Sequence, residues 1–77
     1  MDKRLTFKYD RVTDTLYIDT VPPYASQTSQ ELGDDVIARI NPNTAEIENL
    51  EVLFFSTRLL RSEIFDLPIE VDLRVAA

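Results

Sequence analysis

The chain has no cysteine, no histidine and no tryptophan, and only one glycine among its 77 residues. Without cysteine there can be no disulfide and no thiolate nucleophile or metal ligand. Without histidine the usual structural zinc ligands and the imidazole base of a Ser-His-Asp triad are also excluded. A lone glycine leaves no glycine-rich loop to cradle a phosphate. Basic residues are outnumbered: eight Lys and Arg face fourteen Asp and Glu, for a net charge of −6. They are dispersed, which excludes the basic face that nucleic acid binding requires. No apolar run approaches the roughly 20 residues of a membrane span, and Met1-Asp2-Lys3-Arg4-Leu5 has a basic pair with no apolar segment behind it. A soluble, cytoplasmic protein is expected, with no cofactor, no nucleic acid partner and no membrane contact.

What remains is enough for a single domain spanning 1–77. A domain this small buries only about 60% of the surface its unfolded chain exposes. Disulfides and thiolate or imidazole metal sites being unavailable, association with another subunit is the natural supplement.

The strongest local signal is the stretch Tyr9-Asp10-Arg11-Val12-Thr13-Asp14-Thr15-Leu16-Tyr17-Ile18. Leu5, Phe7 and Tyr9 alternate with polar neighbours, Asp10 opens a turn, and Thr15 to Thr20 is a β-prone run, which together predict a hairpin. Val21-Pro22-Pro23 stops its second strand, because neither proline can donate to a ladder. Tyr24 to Leu32 reads as a polar edge strand, and Gly33-Asp34 as a turn needing φ > 0. Asp35 to Ile40 and Ala45 to Phe54 form a second hairpin about Asn41-Pro42-Asn43-Thr44. Simple folding about that turn sets Arg39 opposite Glu46 and Ala38 opposite Ile47. Ile47 is then out of phase with Leu50, Val52 and Phe54, and a β-bulge near Glu48-Asn49 repairs the phase and turns Glu51 away from the core.

Ser56-Thr57 reads as the N-cap of a short helix over about 56–66, with Phe55, Leu59, Leu60 and Ile64 as its core-facing stripe. Beyond Pro68, Ile69, Val71, Leu73 and Val75 alternate with charged residues, the pattern of a terminal strand over about 68–75. The fold class expected is α+β: an antiparallel β-meander of four to five strands over about 4–55, one short C-terminal helix and a terminal β-strand.

The opening stretch resembles the signature of small bacterial proteins of the domain of unknown function 2283 family, in which Tyr-Asp, three residues, Asp, one residue and Leu-Tyr-Ile follow one another. Here these are Tyr9-Asp10, Asp14 and Leu16-Tyr17-Ile18. The pattern continues loosely through Asp34-Asp35 and Ile47-Glu48-Asn49-Leu50-Glu51-Val52, with Asn49 where the family usually has glycine. The resemblance runs to about Phe55. It implies a compact β-rich protein and an antitoxin-like or partner-binding role, and it carries across no catalytic residue.

Three functions are compatible with these residues. The favoured one is a protein–protein interaction module, a homo-oligomer that associates through Tyr17 and the terminal Ile69, Val71, Leu73 and Val75, with affinity from edge-strand addition. The second is an antitoxin-like partner of a small basic protein. The third is a metal-dependent hydrolase in which Asp10, Asp14, Asp19 and Glu51 hold a hard cation. Their spacing matches no known ligand loop, and turn chemistry accounts for Asp10 and Asp14 equally well. The sequence therefore favours a non-enzymatic role over an enzymatic one.

Overall fold

The alternating and β-branched runs up to Val52 become strands in the computed structural model, which describes residues 4–62 and 64–76. The strands are β1 (Thr6–Asp10), β2 (Thr15–Asp19), β3 (Thr28–Gly33), β4 (Val36–Ile40) and β5 (Ile47–Val52), followed by helix α1 (Phe55–Arg61). The first residues of Met1–Leu5, and residue 63 within the expected helix, lie outside the described residues. The α+β class stands, with five antiparallel strands in one sheet.

The strand order is β1-β2-β5-β4-β3, so the sheet is not a simple meander. β5 lies between β2 and β4, and polar β3 takes the far edge. Burial fits the arrangement: Leu50 and Val52 of central β5 are buried, whereas β3 is largely exposed. A polar strand suits an edge, where it discourages further pairing.

Register places the apolar residues on one face. Leu16, Val52 and Val36 line up across β2, β5 and β4, and Ile18, Leu50 and Ala38 form the next row. Val36, Ala38 and Leu50 are the buried centre, with Ile18, Leu32, Ile40, Leu67 and Ile69 packed around them. Phe7 and Tyr9 extend this face onto β1, opposite Ile18 and Leu16.

The bulge expected at Glu48-Asn49 is present. Arg39 pairs with Asn49 and Ile40 with Ile47, leaving Glu48 as the extra residue. Glu51 consequently faces away from the core and accepts from Arg39 Nε at 2.7 Å. The pairs read from simple folding are corrected: Arg39 does not oppose Glu46, and Ala38 opposes Leu50 rather than Ile47. The turn is wider than four residues because Asn41 Oδ1 accepts from the Asn43 and Thr44 backbone N–H groups, and Ala45 takes a left-handed conformation with φ of 63°. Gly33, with φ of 91°, supplies the positive angle expected of the β3–β4 turn.

Three expectations for the C-terminal part fail. Helix α1 starts one residue early and ends at Arg61, and its N-cap is Phe54 in a left-handed conformation with no side-chain cap. Ser56 is occupied elsewhere. The helix also turns a different face inward: Arg58 is buried, while Leu60 and Ile64 are 88% and 78% exposed and Leu59 is exposed as well. Contacts with the sheet fix that rotation. Phe55 packs between Tyr9 and Phe65, and Arg58 reaches Asp34. At about 100° per residue, Leu60 then lies well round from Arg58. Finally, residues 67–76 form no strand. Leu67 and Ile69 turn onto the core, which draws the start of this segment over the sheet face instead of along an edge.

Candidate functional site

The signature residues are held by local chemistry. Asp10 ends β1 and its Oδ1 accepts from the Val12 backbone N–H at 2.9 Å, the side-chain turn that lets a hairpin loop form without glycine. Asp14 sits at the far end of the loop with φ of 53°, a conformation Asp tolerates better than most residues. Its Oδ1 accepts from the Tyr9 hydroxyl at 2.5 Å and from the Ser56 backbone N–H at 3.0 Å. Its Oδ2 accepts from the Ser56 hydroxyl at 2.8 Å, and its backbone carbonyl accepts from the Phe55 N–H. The hydrogen bonds from Tyr9 and then Ser56 hold the Asp14 carboxyl below its ordinary value. The same bond, from the other side, raises the Tyr9 hydroxyl, because losing its proton would set two negative charges together.

Asp19 and Glu51 lie on the second face of the sheet, each with its own partner. Asp19 Oδ1 accepts from Asn49 Nδ2 at 2.9 Å, and Glu51 pairs with Arg39. Among the described residues no three acidic side chains gather where they could hold a metal ion. The four carboxylates singled out in the sequence are therefore distributed: Asp10 and Asp14 at the hairpin turn, Asp19 and Glu51 on the polar face.

That face also carries a polar cluster which the sequence patterning does not reveal. Asn49, buried at the bulge, donates to Val21 O at 2.6 Å as well as to Asp19, and its Oδ1 accepts from Gln27 Nε2 at 2.6 Å. Glu48 accepts from Tyr24, Gln27 and Asn41. The Tyr24 hydroxyl is raised by its bond to Glu48. These bonds pin the Val21–Gln27 connection to β5. Asn49 meets the demand for buried polar pairing that glycine would have left open.

The interface candidates separate into two places. Tyr17 is half-buried on the second face, between Lys8 and Glu51 in register. Ile69 is packed on the core. Val71, Leu73 and Val75 are exposed, Val75 at 98%. Ile69 and Val71 form one wall of a groove of about 310 Å³ whose other walls include Leu5, Phe7, Ile18 and Ile47. Phe7 is 62% exposed there. Leu5, Phe7 and Ile47 thus join the candidate surface. The alternation of Leu5, Phe7 and Tyr9 predicts a half-buried strand, and the sheet order shows that this strand is an edge on which Phe7 stays exposed.

No helix among the described residues is long and apolar enough to cross a membrane. No curated protein and no solved structure matches the chain. A family model described as a protein of unknown function, DUF2283, matches residues 6–56, from the first residue of β1 to the serine that closes on Asp14. With that match over more than half its length, the chain belongs to the DUF2283 family.

Proposed function

We propose that the protein is an interaction module that self-associates, each copy laying its extended tail against the apolar groove and β1 edge of another. The observation that carries this reading is the coexistence, on one chain, of an open apolar groove and a tail without secondary structure whose apolar side chains are unburied. Val71, Leu73 and Val75 alternate with Glu70, Asp72 and Arg74, so one side of the tail is apolar and the other charged. Six extended residues reach about 20 Å, close to the roughly 17 Å of a five-residue strand such as β1. Because groove and tail belong to the same molecule, a two-fold axis satisfies both at once. The open edge of β1 supplies main-chain donors and acceptors to a tail laid beside it.

The test is sedimentation equilibrium of the full chain beside a truncation after Val71, which keeps Leu67 and Ile69 on the core and the groove wall of Ile69 and Val71 in place. Concentration-dependent association that weakens on truncation supports the reading. A full chain monomeric at high micromolar concentration, and unchanged by truncation, rejects it. A small basic protein is the second reading for a partner, favoured by the net charge of −6.

A further inference from the structure

Arg58 is 3% exposed and is the buried residue of α1. Its guanidinium carries five N–H donors and no acceptor. Nη1 donates to Asp34 Oδ2 at 3.0 Å, and Cζ lies over the Phe65 ring, 5.1 Å from its centroid. Nε and Nη2 are buried and have no partner among the described residues. Buried donors are nearly always satisfied, so two orphans on one side chain call for an explanation.

These two donors are not an arbitrary pair. Nε and Nη2 form one edge of the planar guanidinium, the edge whose parallel N–H bonds match the two oxygens of a carboxylate or phosphate. Beside Arg58 lies a hollow of about 220 Å³, bordered by Asp34, Arg61, Ser62, Ile64 and Phe65. One water occupies roughly 30 Å³ in the liquid, so the hollow admits a ligand of several atoms. Arg61 Nη2 stands 3.9 Å from Asp34 Oδ1, so one carboxylate faces two guanidinium groups.

We propose that the vacant edge of Arg58 binds a small oxyanion of the carboxylate or phosphate type, gripped by Nε and Nη2, with Arg61 as the second positive charge. The ligand reaches that edge when the coil carrying Ile64 and Phe65 shifts outward. This coil has no strand pairing to break. The site stands apart from the groove and does not depend on self-association.

The experiment titrates the full chain with sodium phosphate and, separately, sodium acetate, each against sodium chloride at matched ionic strength. The melting temperature and the Arg58 Nε–H resonance are followed together. A ligand bound only by the folded state raises the melting temperature in a saturable way. Such a rise, with a saturable shift of the Arg58 resonance, supports the site; phosphate alone, or acetate alone, names the source. Arg58→Met should abolish the response, and the exposed Arg61→Gln should weaken apparent affinity several-fold while the protein stays folded. If Arg58→Met does not fold, Arg61→Gln and the wild-type resonance decide. Neither anion exceeding chloride, or an Arg58 resonance that moves equally with chloride, overturns the proposal.

Discussion

Asp14 and Ser56 lie 42 positions apart and are joined by two hydrogen bonds, one from the serine backbone and one from its hydroxyl. The contact ties the first hairpin's turn to the first turn of α1. With Asp34 holding Arg58, it means that the two turns at one end of the sheet grip the helix from either side.

Ser56→Ala removes the hydroxyl bond but keeps the backbone one, and should cost about 1 kcal/mol in urea unfolding. Asp14→Ala should cost distinctly more. It strands the Tyr9 hydroxyl and both Ser56 donors, and it puts alanine at a φ of 53°. Equal effects of the two substitutions would mean that the clasp contributes little.

The same contacts give stability two pH flanks. Asp14 titrates below its ordinary 3.8 in the folded chain, so its contribution is complete above that value and is lost as pH falls through the folded value. Tyr9 titrates above its ordinary 10.0, so its contribution is complete below that value and is lost as pH rises through the folded value. Tyr9→Phe should therefore flatten part of the alkaline fall in melting temperature and also soften the acid one. Tyr24, raised by its bond to Glu48, contributes to the alkaline fall in the same sense.

Phe54 and Phe55 are neighbours with opposite prospects. Phe54 is exposed and holds φ at 53°, where a bulky side chain is strained by about 1–2 kcal/mol. Phe54→Gly should leave stability within about 1 kcal/mol of wild type, or raise it. Phe55→Ala removes a ring set between Tyr9 and Phe65 and should cost about 2–3 kcal/mol. Thermal or urea unfolding of the pair checks the contrast.

The helix face is tested in the same way. Leu60→Glu should change stability by no more than about 0.5 kcal/mol, since the side chain is almost wholly exposed. Leu50→Ala, at the sheet centre, should cost about 2–5 kcal/mol.

Salt separates the two kinds of partner. Copies of a chain with net charge −6 repel one another, so added salt should strengthen self-association through the apolar groove. Binding to a basic partner should weaken under the same change. Sedimentation at about 0.05 M and about 0.5 M salt distinguishes them.

Much of the sheet was readable because strand pattern has period two and breaks visibly. The phase conflict between Ile47 and Leu50 located the bulge at Glu48, and the single glycine located the β3–β4 turn. Strand order was not readable, since placing β5 beside β2 depends on long-range packing that leaves no local mark. The helix face was misread because Leu59, Leu60 and Ile64 form a plausible stripe, whereas Arg58 faces inward onto long-range partners, Asp34 and the Phe65 ring, that leave no local mark. The tail's alternation is real, but two of its residues are spent on the core before a strand could begin. Of the candidate site, the exposed tail was legible. The groove, which needs the sheet order, and the orphaned Arg58 edge were not.

The position of β5 has a kinetic side. The β1–β2 hairpin and the β3–β4–β5 meander are each built from neighbours in sequence, and each can form quickly. The seam joining them pairs Asp19 with Asn49 and Leu16 with Val52, across a loop of some thirty residues or more. Closing such a loop costs entropy before any pairing repays it. During synthesis, the Tyr17-bearing edge of β2 therefore waits for its mate until β5 has emerged, and the two halves of the sheet meet as preformed pieces.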